Sequence, residues 1–192
     1  MALTTKLEAV NIMISVIGES PVNTLSGTSV PVTVTQAAHV LDETSKAVQS
    51  EGWHYNTEYD YPLVPDSVTS KITLPVNTLK VDLDPEIYTD SDPVQRGLKL
   101  YDRKNHRDTW TKDLKAIITF ELEFEELPEQ FRHYIAVKSA RIFAARFLGS
   151  REIEGFALRD EIEAKARAIE SDSENADRTI FDNYSVLRVV DR

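Results

Sequence analysis

The segment Leu127-Pro-Glu-Gln-Phe-Arg-His-Tyr-Ile-Ala-Val-Lys-Ser-Ala-Arg-Ile-Phe-Ala-Ala-Arg-Phe-Leu-Gly149 reads as one long helix with both ends marked. Pro128 suits the first turn, where a missing N–H costs nothing, and Gly149 suits the position just past the end. At 1.5 Å per residue, Pro128 to Leu148 spans roughly 30 Å. Its apolar residues fall on two faces: Phe131, Tyr134, Ile135 and Ile142 on one, Ala136, Ala140, Phe143 and Phe147 on another. A helix apolar on two faces must be covered on two faces, by its own chain or by another subunit. Between them Arg132, Ser139 and Arg146, at seven-residue spacing, are expected to form a narrow polar strip.

Working outward, a second helix follows at once, from Ser150 to about Ser171. Leu158, Ile162, Ala166 and Ile169 are its expected buried stripe, and Glu161–Lys165 and Glu163–Arg167 are i,i+4 pairs on its solvated side. Two helices joined this tightly must pack on each other. Upstream, residues from Trp53 to about 126 change character: Val, Ile, Thr, Tyr and Leu alternate with polar residues between several prolines. The run Lys115–Phe124 alternates with period two, putting Phe120, Leu122 and Phe124 inside and Glu121, Glu123 and Glu125 outside.

Two more helices precede this β segment. The first runs from about Thr5 to Ile17, with Thr5 and Glu8 at capping-box spacing and Gly18 closing the far end. Ile12, Met13 and Val16 beside the stripe Leu7, Val10, Ile14 and Ile17 predict a helix buried nearly all round. A loop from Glu19 to about Val32 is long enough to be functional or mobile. The next helix starts at Thr33 or Thr35, runs to Glu51 before Gly52, and carries Val40, Leu41, Ala47 and Val48 as its apolar positions. The expected class is therefore α+β: a four-helix bundle from residues 1–52 and 127–172, an inserted antiparallel β domain at 53–126, and a tail at 173–192. The tail stretch Tyr184-Ser-Val-Leu-Arg-Val-Val190 has strand-like composition, suited to a sheet edge.

Composition narrows the function classes. With no cysteine there are no disulfides and no thiolate metal sites. No apolar run approaches a membrane span, and the N-terminus lacks the basic-then-apolar plan of a signal peptide, so a soluble cytoplasmic product is expected. A net charge of −10 argues against a sequence-reading DNA binder, which needs a positive field over the phosphates.

Two segments carry a family resemblance. One is Leu7-Glu-Ala-Val-Asn-Ile-Met-Ile-Ser-Val-Ile-Gly-Glu-Ser-Pro-Val-Asn-Thr-Leu25, followed after the second helix by Ser50-Glu-Gly-Trp-His-Tyr-Asn56. The other is Leu127–Ile135 leading into Ala140-Arg-Ile-Phe-Ala-Ala-Arg-Phe-Leu-Gly149 and Glu152-Ile-Glu-Gly155. In order and motif they resemble the tail tubular A proteins of short-tailed bacteriophages, over roughly residues 5–60 and 98–170. The resemblance implies a subunit of a dodecameric head-to-tail connector ring in the virion tail, assembled in the host bacterial cytoplasm. Its implied partners are further copies of itself, the portal protein and the tail nozzle protein (tail tubular protein B), with tail fibres as further candidates. Genomic DNA would pass through the lumen without sequence-specific binding. The same resemblance makes Pro21, Val22 and Leu25 candidate interface residues. It implies no catalytic residues, cofactor or metal.

Four cations on the long helix, Arg132, Lys138, Arg141 and Arg146, complete the candidate interface, with no acid between Glu129 and Glu152. They read either as a basic stripe facing DNA or an acidic neighbour, or as partners for acids of the last helix or an adjacent subunit; the pairing reading is preferred. The rival function is a tail component that binds or hydrolyses envelope polysaccharide. Its residues would be a carboxylate pair among Glu121, Glu123, Glu125, Glu126 and Glu129, or a platform of Trp53, Tyr55, Tyr59 and Tyr61. A solvated row of ionised glutamates and an aromatic strand packed on its sheet are the plainer readings. His39, His54, His106 and His133 have no metal-motif spacing.

Overall fold

The computed structural model describes residues 3–27, 30–148 and 151–176, excepting the side chains of 148 and 151–157. The expected cap at Gly149 and the strand-like tail stretch lie outside them. The fold is mixed α+β, and the chain divides into two compact units, Met1–Thr44 with Leu127–Arg192, and Ser45–Glu126.

In the first unit, helix α1 (Lys6–Val16) is fixed at both ends by local chemistry. The Glu8 N–H donates to Thr5 Oγ1 at 3.2 Å, and the Thr5 N–H donates to Glu8 Oε2 at 2.8 Å, a complete capping box. At the far end Gly18, at φ +83, lets its own N–H reach the Ser15 carbonyl and the Glu19 N–H reach that of Ile14. That is a Schellman closure. Burial is less complete than the sequence predicts. Ala9, Val10, Met13 and Ile14 are buried, but Ile12 and Val16 are exposed, because the chain covers α1 along one stripe only.

After α1, the loop is clasped rather than loose. The Asn11 side chain donates to the Val22 carbonyl at 2.9 Å and accepts the Val22 N–H at 2.8 Å, pairing as a peptide group would. Thr33 Oγ1 donates to Glu19 at 2.7 Å and ties the loop's start to the next helix. Replacing Asn11 by Ala should raise proteolytic cleavage within residues 19–27 several-fold while global stability falls by only about 1 kcal/mol, since local and global opening are separate events. Limited proteolysis beside a urea titration checks this; equal cleavage rates in both proteins would refute the clasp.

Helix α2 (Val32–Gln49) starts earlier than expected, because the Pro31 carbonyl accepts the N–H groups of Val34 and Thr35. Its buried residues up to Thr44 are Val34, Ala37, Val40, Leu41 and Thr44. Ala47, expected inside, is exposed. Lys6 pairs with Asp42 at 2.6 Å and links α1 to α2.

Helix α3 (Glu129–Leu148) is the long helix expected after Pro128. Pro128 sits just before it and supplies the carbonyl for the Phe131 and Arg132 N–H groups. The helix packs against both α1 and α4 (Arg151–Asn175), which meets the need to cover two faces. Phe131, Tyr134, Ile135, Ala136, Ala140 and Phe143 are buried, but Ile142 is only half-buried and Phe147 is 44% exposed. The polar strip also fails as a surface feature. Arg132 is 4% exposed and Ser139 is fully buried, leaving only Arg146 in solvent.

Helix α4 departs most from expectation. Ala164 and Ala168 are buried, while Leu158, Ile162, Ala166 and Ile169, the expected inner stripe, are exposed. Small alanines let two helices approach closely, and Arg141 on α3 pairs with Glu161 on α4 along this seam. The aliphatic ridge therefore points away from the unit. The helix also runs on to Asn175, through residues expected to begin the tail.

In the second unit, strands β1 (Thr57–Leu63), β2 (Thr78–Leu83) and β5 (Leu114–Phe120) form an antiparallel sheet in the order β1-β5-β2. Strands β3 (Pro93–Arg96) and β4 (Lys99–Asp102) form a hairpin that turns at Gly97, φ +63. Ile72, Leu74, Leu100, Trp110, Ile118 and Phe120 lie in its core. The alternation read through Phe124 stops at Phe120. Gln49 explains the stop: its amide accepts the Leu122 N–H at 2.8 Å and donates to the Leu122 carbonyl at 3.0 Å, taking the place of a neighbouring strand. A short 3-10 turn at Phe124–Glu126 follows.

Candidate functional site

The four cations of α3 do not make a common stripe. Arg132 is an internal staple: its Nε donates to the Leu127 carbonyl at 2.7 Å and its Nη1 to the Thr4 carbonyl at 3.0 Å. Glu129 completes that staple by accepting the Thr4 N–H at 2.8 Å. Lys138 lies along its own helix, 3.3 Å from the Tyr134 hydroxyl and 5.4 Å from the ring centre. Arg141 pairs with Glu161, as the pairing reading has it. Arg146 instead meets Glu43 of α2 at 3.4 Å, with both side chains more than half exposed. Two cations thus hold the subunit together, one lies on an aromatic ring, and one stands at the surface.

Around Arg146 the surface is concave. A groove of about 440 Å³ runs between α2 and α3, with Val40, Phe143 and Phe147 as its apolar lining and Gln36, His39, Glu43 and Arg146 as its polar lining. The Phe143 and Phe147 ring centres lie 4.5 Å apart, with the rings tilted by 40°. Phe147 owes its exposure to this opening. Of the loop residues, Pro21 is exposed, Val22 is half-buried in the Asn11 clasp, and Leu25 is half-buried. The helical unit thus offers an outward aliphatic ridge on α4, an apolar groove between α2 and α3, and a clasped loop.

The tail tubular protein family matches the chain over residues 7–178. The chain belongs to that family. A comparison with curated proteins gives no match. As a tail tubular protein it is a structural component of a bacteriophage tail, which accords with surfaces shaped for neighbours.

The residues of the rival reading are scattered or engaged in this tail tubular protein. Glu121 pairs with Lys46 at 3.0 Å, and the Glu126 carboxylate accepts the Glu123 N–H at 3.1 Å. Trp53 is buried in a turn, its indole donating to the Val48 carbonyl at 2.7 Å. Tyr61 packs edge-on against Phe120, while Tyr59 points into solvent, so the aromatics form no common platform. Among the described residues no group of His, Asp or Glu is placed to hold a metal ion, and no helix is long and apolar enough to cross a membrane.

Sequence reasoning missed two kinds of residue. The ridge on α4 carries the right periodicity, but period does not say which way a stripe faces. Asn11, Gln49 and Asn56 are single polar side chains that substitute for backbone partners. Asn56 accepts the Trp53 N–H and donates to the carbonyls of Gln49 and Phe120. The only sequence signal for such residues is an amide beside a glycine, loop or strand end.

Proposed function

We propose that the chain is a subunit of the adaptor ring between portal and tail nozzle, with the genome passing through the ring's lumen. The observation that carries this reading is the α4 ridge: a structural tail subunit holds three large aliphatic side chains outward although its own core is filled. Exposed apolar surface of this kind marks an interaction site. In this reading the four helices close into one bundle. The Lys6–Asp42 pair joins α1 to α2, and the Glu43–Arg146 pair joins α2 to α3. A ring of twelve such chains would carry roughly −120, and a lumen of that sign repels phosphates and lets DNA slide. The polysaccharide reading gains nothing from the geometry, since Glu121, Glu126 and Glu129 are engaged within the fold and its aromatics form no platform.

Electron microscopy of the purified protein, alone and mixed with portal, tests the proposal. Twelvefold rings, free or docked, are the expected particles. Isolated monomers in both samples would overturn it. Arg146 gives a sharper check on where copies or portal meet. An exposed pair at 3.4 Å contributes about 0–1 kcal/mol, so Arg146→Glu should leave the thermal melt nearly unchanged. The same variant should lose assembly, because it places a second acid beside Glu43. Normal assembly of the folded variant would remove Arg146 from the interface.

A further inference from the structure

The ridge and the groove are different surfaces of the same helical unit, one a row of aliphatic side chains and the other an apolar opening. The ridge is Leu158, Ile162 and Ile169, respectively 46%, 62% and 45% exposed, at helical spacing. The groove offers the inverse, an opening of about 440 Å³ lined by Val40, Phe143 and Phe147. We infer that the α4 ridge of one copy seats in the α2–α3 groove of the next, forming the contact between neighbouring subunits. The inference rests on the ring reading and names the surfaces by which it closes.

Charge favours a second copy as occupant. Two chains of −10 repel over most of their surfaces. These two surfaces are exceptions. The groove rim carries one base and one acid, Arg146 and Glu43, both exposed, and along the ridge the exposed charges are nearly balanced, Arg159 and Arg167 against Asp160, Glu163 and Glu170. The rim pair is long at 3.4 Å and open to water, so exchanging it for pairs across a contact with Arg159 and Glu170 costs little. A contact joining two different surfaces is heterologous. Each copy then uses its ridge toward one neighbour and its groove toward the other, the arrangement that generates a ring when the rotation between copies closes. Ridge packed on ridge would instead give a twofold dimer, leaving the groove empty.

The absence of cysteine makes the test clean, because every disulfide must come from an introduced pair. Full-length Ile162→Cys and Gln36→Cys proteins are mixed in equal amounts, alone and with portal, and oxidised. Native mass spectrometry reads assembly and non-reducing electrophoresis reads the cross-link. The expected result is rings in which the mixed disulfide dominates. Rings without the mixed disulfide overturn the ridge-in-groove contact but leave the ring reading standing. A predominant Ile162→Cys homodimer overturns it in favour of ridge against ridge. Monomers in both samples overturn the ring reading and this inference together. Ile162→Asp provides the second arm: its melt should match that of the parent because the side chain is exposed, while self-association weakens about tenfold or more. Unchanged association in that variant removes the ridge from the contact.

Discussion

Replacing Phe143 by alanine lowers the unfolding free energy of the helical unit by about 3–5 kcal/mol, the range for emptying a packed aromatic site. Phe143 is fully buried and stacks on Phe147, on a helix that also packs against α1 and α4. The loss therefore combines burial, ring contact and a cavity that neighbouring helices cannot readily close. Phe147→Ala is the internal control. Sequence periodicity places both rings in the core and predicts equal costs, but Phe147 is nearly half exposed. Its truncation should cost roughly 1 kcal/mol, from partial area and one ring contact. Urea unfolding of both variants measures the difference. If Phe143→Ala is too unstable to purify, Phe143→Leu preserves the ordering with a smaller loss. Equal losses at the two positions would mean that Phe147 is buried in solution, by a partner or by its own chain.

What could be read in advance was local. The Thr5–Glu8 box and the Gly18 closure are interactions among residues within a few positions of each other, so their chemistry is written in order along the chain. The same holds for α3, where proline, continuous helix formers and two apolar faces agree. What could not be read was direction. Leu158, Ile162 and Ile169 share a helical face, but the choice between that face and the Ala164–Ala168 face is made by α3, which offers Arg141 to Glu161. Arg132 and Arg146 share a spacing, but only Arg132 is covered by the N-terminal segment that it binds at Thr4. Residues 121–125 alternate like a strand, but the partner that received the Leu122 backbone was a glutamine side chain. In each case the deciding contact comes from elsewhere in the chain. The interface candidates inherit that limit: of the four cations marked on α3, burial and pairing leave Arg146 as the one standing at an apolar groove.

Asp102 provides the second large effect, in the β unit. Its carboxylate is fully buried at the end of β4 and organises the chain around it. Oδ1 accepts the N–H groups of Asp92 and Lys104 at 3.1 Å and of Asn105 at 3.2 Å, while Oδ2 accepts the Asn105 side-chain amide at 2.7 Å. Arg107 Nε lies 3.7 Å away. Burial pushes this carboxyl up, but the hydrogen bonds from the Asn105 side chain and the Asp92, Asn105 and Lys104 backbones outweigh it and hold it below its ordinary value of 3.8. Asp102→Ala leaves those donors without their acceptor and should cost about 3–5 kcal/mol. Asp102→Asn retains a carbonyl for the three backbone N–H groups and loses the charge, so its cost should be about half as large. A depressed carboxylate stabilises the fold fully above its unfolded pKa and loses that contribution as pH falls through the folded value. The stability gap between parent and Asp102→Asn should therefore be constant near neutrality and shrink below 3.8. Urea titrations of both proteins from about pH 7 to about pH 3 measure it directly. A gap that stays constant over that whole range would mean that shape alone, and not the buried negative charge, holds the turn between β4 and Arg107.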